Sequence, residues 1–185
     1  MFGENRQPAN PYLLLPKVSS ENRLYMPVGY SGPEVIASGS SLIIPDATHY
    51  HLGVLQSAMH MAWMRYTCGR LESRYQYSVS VVYNNFPWPD QPTGAQREKI
   101  EAAAQAVLDA RAQFPDATLA DLYDPLTMPP ALVKAHQKLD AAVDAAYGKK
   151  SFKNDAERVA FLFELYQKYT SLLPATVTKR MRKPS

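Results

Sequence analysis

Gly69-RLESRYQYSVSVVYNNFPW-Pro89 alternates polar and apolar side chains from Glu72 to Val81. Neighbouring side chains on a strand point to opposite faces. One side would therefore carry Glu72, Arg74, Gln76, Ser78 and Ser80, and the other Tyr75, Tyr77, Val79 and Val81. The aromatic and valine set suits a core. The polar set is a row of donors and acceptors at fixed spacing, suited to reading a hydrogen-bonding surface. An ordinary solvent face has the same pattern. The stretch predicts one strand, ended by its prolines.

Upstream, Tyr12–Val18 reads as a strand interrupted by Pro16, and Arg23–Tyr30 as a second with Pro27 at an edge or bulge. Glu34–Ile44 is a third, bent at Gly39. Asp46 then caps a helix from about Ala47 to Tyr66, with Leu52, Leu55, Met59, Ala62, Trp63 and Tyr66 on one face. Gly69 follows its end. The expected fold class is α+β: a small mixed or antiparallel β domain with one long packed helix, over residues 1–90, followed by an all-α domain over 91–185.

Composition changes near Asp90-Gln91-Pro92-Thr93-Gly94 to the vocabulary of helices. Thr93 and Gln96 form a capping box ahead of the stripe Ile100, Ala104, Val107, Leu108 and Phe114. Thr118 with Asp121 starts a short turn. Pro129-Pro130 opens a helix burying Leu132, Val133, Leu139, Val143 and Tyr147, closed by Gly148. Asn154 and Glu157 cap the last, where Val159, Phe161, Leu162, Leu165, Tyr166, Tyr169 and Leu172 make a broad apolar face. Such breadth suits packing between partners.

The 185 residues are 46% hydrophobic and 20% charged, a globular balance with room for a core. No apolar run reaches the roughly 20 residues of a membrane helix, so no membrane partner is expected. The single Cys68 excludes an internal disulfide framework and fits a reducing cytoplasm. Net charge is +3, and four cations sit in the tail Lys179, Arg180, Arg182 and Lys183. Residues 1–92 are neutral, but five of their six basic residues are arginines, whose planar fork suits bidentate contacts.

Sequence motifs for catalysis are missing: no Gly-rich phosphate loop, His-Glu-x-x-His, Cys-x-x-Cys or Gly-x-Ser-x-Gly occurs. His49, His51, His60 and His136 lack metal-ligand company and read as satisfied or surface histidines. Asn84-Asn85-Phe86-Pro87-Trp88-Pro89 differs from the Asn/Asp-Pro-Pro-aromatic loop of adenine-N6 methyltransferases. It reads as structural, with Phe86 and Trp88 plugging an interface. Met59, Met61, Trp63, Met64 and Tyr66 read as core and interface packing. No catalytic, cofactor-binding or metal residue is assigned.

The polar stripe retains chemical interest. Arginine pairs bidentately with guanine O6 and N7, glutamate accepts from the cytosine amino group, and glutamine suits adenine. Glu72 and Arg74 could address the two bases of one G·C pair, with Gln76 next along. Alternatively Glu72 and Arg74 pair with each other on a wet surface and contribute little.

PKVSSENRLYMPVGY (Pro16–Tyr30), PDATHYHLGVLQSAMHMAWMRYTCGRLESRYQYS (Pro45–Ser78), VYNNFPWP (Val82–Pro89) and LADLYDPLTMPPALVKAHQKLDAAVDAAYG (Leu119–Gly148) closely resemble the C-terminal part of MmeI-type enzymes. These are type IIL restriction-modification proteins, with relatives among class I adenine-specific DNA methyltransferases. The resemblance implies a target-recognition domain, here truncated at its N-terminus, followed by a helical C-terminal domain. It also implies an upstream methyltransferase domain of the same protein that holds S-adenosylmethionine, none being held by this fragment. It implies a base-reading couple at Glu72 and Arg74, and readout by Lys17, Gly39, Ser40 and Gln76.

The expected function is a double-stranded DNA recognition module of an S-adenosylmethionine-dependent adenine-N6 methyltransferase within a restriction-modification enzyme. In it Arg70 and Arg23 touch the DNA backbone. The alternative is a non-catalytic docking module whose helical half binds a partner and whose polar stripe is solvated.

Overall fold

The computed structural model describes residues 7–149 and 151–171. Leu172 and the basic tail lie outside the described residues. The β half holds two small antiparallel sheets. In the first, β1 (Tyr12–Pro16) is central, with β3 (Gly29–Ser31) and β4 (Ser41–Ile44) on either side. In the second, β6 (Arg74–Gln76) lies between β2 (Val18–Ser19) and β5 (Gly69–Leu71). Pro16 has no N–H for the ladder, and Lys17 carries the chain from one sheet into the other.

The central prediction changes form. Residues 69–89 are not one strand. Leu71 pairs with Arg74, so β5 and β6 close as a hairpin over Glu72 and Ser73. The ladder ends at Gln76, and Val79–Tyr83 wind into a single π-helical turn, with Asn84 N–H donating to the Val79 carbonyl at 2.9 Å. Winding breaks the alternation. Tyr75 and Tyr77 are buried as expected and Val82 turns inward, while Val79 and Val81 become about half exposed.

The expected long helix is two, α1 (His49–Leu55) and α2 (Ala58–Thr67). The break at Gln56-Ser57 is fully buried and braced by side-chain hydrogen bonds, with Gln56 Oε1 left without a partner. Ser57 Oγ donates to the Val54 carbonyl and accepts the His60 N–H, which starts α2, while Gln56 Nε2 reaches the Val28 carbonyl at 3.0 Å. The cap of α1 is Thr48 in a reciprocal box with His51, not Asp46, whose φ of 52° lies in the left-handed region. Met59, Met61, Trp63 and Met64 are core; Tyr66, expected on the apolar face, is exposed. The third expected strand narrows to Ser41–Ile44. Residues 32–40 instead form a crossover loop over β1, because β3 and β4 are both antiparallel to it.

The helical half comprises α3 (Gly94–Ala112), α4 (Leu119–Leu122), α5 (Pro130–Ala146) and α6 (Asp155–Ser171). The capping boxes of Thr93 with Gln96 and Thr118 with Asp121 form, and Gly148 ends α5 at φ 80°. Phe114 falls past the end of α3 and is partly exposed. α1 packs on α3, α3 on α5, and α2 on α6, so one hydrophobic core runs through both halves. α6 buries only Val159 and Leu162 fully; Phe163 and Tyr166 lie against Trp63. Much of its broad apolar face is thus taken up within the chain.

Buried polar groups also join the halves. The Arg111 guanidinium donates to the Val28 carbonyl at 2.9 Å and to the Tyr123 hydroxyl, which lies 2.7 Å from His136 Nε2. Tyr25 stacks on His136 and donates to Asp140 at 2.7 Å; the other Asp140 oxygen accepts the Ala58 N–H at 2.7 Å.

Candidate nucleic-acid interface

The hairpin β5–β6 lifts its turn away from the core. A positive φ at the first loop residue alone is the II′ pattern, which favours glycine. Glu72 takes it with a φ of 58°. The Glu72 and Arg74 side chains are 78% and 47% exposed, and Arg74 Nη2 donates to Glu72 Oε2 at 2.8 Å. They lie side by side, as the stripe reading requires, but they are brought together by a turn and not by a shared strand face. The mutual pairing foreseen as the mundane alternative is present too. An exposed pair contributes only about 0–1 kcal/mol, against about 1–3 kcal/mol for a good bidentate base contact. Exchanging one for the other is energetically open.

Gln76 lies two residues beyond Arg74, hence on the same face of β6, and is exposed. Its cross-strand neighbours are Val18 and Gly69. Lys17 precedes Val18; its carbonyl accepts the Tyr77 N–H at 2.8 Å, and its N–H donates to the Ser40 carbonyl at 2.9 Å. Lys17 Nζ donates to the Gly39 carbonyl at 2.7 Å, and the Ser38 and Ser40 hydroxyls are 2.6 Å apart. Backbone bonds therefore tie Lys17 and Ser40 to the end of β6 that carries Gln76, and the Lys17 ammonium holds Gly39 there.

The two arginines assigned to the DNA backbone do not join this group. Arg70 pairs across the ladder with Tyr75, on the opposite face from Arg74 and Gln76. Its guanidinium lies 4.2 Å from the Tyr75 ring centroid and donates to the Ser73 carbonyl at 2.9 Å. Arg23 donates to Ser19 Oγ at 3.3 Å, and Ser19 also pairs with Tyr75. Sequence reading missed Glu21. Its carboxyl is held below the ordinary range by its own backbone N–H and the Ser73 hydroxyl, with Arg70 and Arg74 as further causes. Ser78 and Ser80, placed on the polar face by alternation, instead belong to the start of the π turn, their hydroxyls 3.0 Å apart.

The loop after the π turn is tied down by hydrogen bonds from an asparagine amide and to two backbone carbonyls. Asn85 Nδ2 donates to the Ser80 and Val81 carbonyls at 2.7 and 3.1 Å. Phe86 is buried against His60 and Trp63. The Pro87 and Trp88 carbonyls accept from Tyr147 and Tyr169. This is the interface plug expected of it. Among the histidines, His51 caps α1, while His60 and His136 are fully buried beside Tyr77 and Tyr123. Burial pushes the Cys68 thiol pKa up. Among the described residues no helix is long and apolar enough to cross a membrane.

Residues 1–90 match the family model described as the MmeI target recognition domain, and residues 92–174 that of the MmeI C-terminal domain. DNA methyltransferase A of Bacillus subtilis (strain 168) is 44% identical over 169 residues, covering 91% of this chain and 19% of that protein. The solved structure of the type IIL restriction-modification enzyme MmeI in complex with DNA is 54% identical, with a TM-score of 0.86, over 90% of this chain and 22% of that one. The chain thus spans about a fifth of the length of either relative. With both halves matched in order by the family's two models, the chain belongs to the MmeI family, as its target recognition domain followed by its C-terminal domain.

Proposed function

We propose that this chain is the DNA-sequence recognition module of an adenine-N6 DNA methyltransferase within a restriction-modification enzyme. The observation that carries the proposal is the exposed Glu72–Arg74 pair on a braced hairpin, beside Gln76, Lys17 and Ser40. Glu72 and Arg74 would read one base pair, and Gln76, Lys17 and Ser40 its neighbours. Methyl transfer from S-adenosylmethionine would belong to a methyltransferase domain elsewhere in the parent protein, this chain being non-catalytic. The DNA-bound relative, 54% identical, supports double-stranded DNA as the partner.

In the full-length enzyme, Glu72→Lys combined with Arg74→Asp should change one base of the modified site, leaving the thermal melting curve intact. Sequencing of modified DNA reads the outcome, and an unchanged site removes the role. Arg70 and Arg23 are proposed as phosphate contacts on the far side of the hairpin. Replacing either with alanine should then weaken binding about equally for all sequences and lower the salt slope by about 1. An unchanged slope returns both arginines to a structural role.

A further inference from the structure

Ile36 is 85% exposed, the most exposed large apolar side chain among the described residues of the β half. It sits in the crossover loop of residues 32–40 with Val35, itself 42% exposed. The loop is braced on both sides of it. Gln7 Nε2 donates to the Pro33 and Val35 carbonyls at 2.9 and 2.7 Å, and the Tyr12 hydroxyl donates to the Val35 carbonyl. Beyond Ile36, Ser41 N–H closes on the Ser38 carbonyl at 3.0 Å, and Lys17 Nζ holds the Gly39 carbonyl at 2.7 Å. An apolar side chain is thus displayed from a fixed backbone instead of being left on a slack loop.

Ile36 lies four residue steps before Ser40, a span of at most about 14 Å even when fully extended. That is about four steps of a duplex at 3.4 Å per step along each strand. Within that reach the one apolar group on a base edge is the thymine C5-methyl, exposed in the major groove. We infer that Ile36 reads a thymine by contact with this methyl group, adding an apolar contact to the polar readout. The inference rests on the recognition role proposed above.

The test uses the full-length enzyme and duplexes in which each thymine in and beside the modified site is replaced singly by deoxyuridine, removing only the methyl. The methylated adenine guarantees at least one such thymine opposite it. One replacement should lower modification by the wild type about 4-fold, the effect of losing one buried methyl-sized group. Ile36→Ala should lose at least as much on the thymine duplex and be indifferent to uridine at that position. Wild-type indifference to every uridine, or an Ile36→Ala enzyme that keeps the full uridine penalty, overturns the inference. If the Glu72/Arg74 exchange leaves the site unchanged while the penalty tracks Ile36, the hairpin reading fails and the loop reading stands. The opposite pattern removes Ile36 alone.

Discussion

Glu72 holds a backbone conformation that disfavours side chains, with φ at 58°, and left-handed backbone costs a non-glycine residue about 1–2 kcal/mol. Glycine there would relieve the strain but regain part of it as unfolded-state freedom. Glu72→Gly should therefore raise stability by about 0.5–1 kcal/mol, read as a higher urea midpoint, while abolishing discrimination at the base pair assigned to Glu72 and Arg74. A glycine variant that is less stable than the parent would show that the carboxylate, not the turn, holds the hairpin. At the same scale, burial pushes the His60 pKa down to about 4, and burial together with the Arg111 guanidinium pushes that of His136 down to about 3. Both histidines take up protons on unfolding below their ordinary value of 6.5, so each withdraws stability as pH falls towards its folded value. Asp140 runs the other way. Burial raises its pKa from 3.8 to about 6, so its contribution falls as pH rises between those values. His51, also held down by burial, acts with the two buried histidines, and Asp144, held up by burial, acts with Asp140. The three imidazoles outnumber the two carboxyls, so stability should fall on acidification from pH 6. Urea titrations at pH 7, 6 and 5 check this, and a flat profile would contradict neutral buried imidazoles.

At the scale of the element, the crossing of α1 over α3 depends on Gly53. A Cβ there would lie 2.6 Å from Ile100 Cγ2, 3.2 Å from Leu139 Cδ1 and 3.3 Å from Ala104 Cβ. Gly53→Ala should cost about 1–3 kcal/mol through overpacking despite its better helix propensity; a melting temperature equal to the wild type's would show that the crossing can yield. Elements with local signals were legible in the sequence: the capping boxes of α3 and α4, the Pro129-Pro130 start of α5 and the Gly148 stop each involve residues within a few positions of one another. What was illegible depends on distant partners. Nothing near Gln56 announces that its amide is held by the Val28 carbonyl, which makes the helix break affordable. Nor does the alternation of residues 72–81 reveal the turn at Glu72, because Glu-Ser lacks the glycine or asparagine that marks a two-residue hairpin. Despite this misreading the i, i+2 neighbours Glu72 and Arg74 stay adjacent across the turn, whereas Arg70, on the other strand, lies on the opposite face.

At the scale of the whole molecule, the core continuous through both halves predicts one cooperative transition. Both tryptophans, Trp63 and Trp88, precede residue 90, while α3, α5 and α6 supply most of the helical signal. Tryptophan fluorescence and far-ultraviolet circular dichroism should therefore give superimposable urea curves; separated midpoints would show two independently melting halves. The Arg111 and Asp140 bonds to Val28, Tyr25 and Ala58 bear on protein engineering. A chimera grafting residues 1–90 onto a foreign helical half inherits one side of those contacts only. Each orphaned polar atom would cost about 1–3 kcal/mol, so transplanted specificity should travel only when Arg111, Tyr123, His136 and Asp140 are carried along as a set.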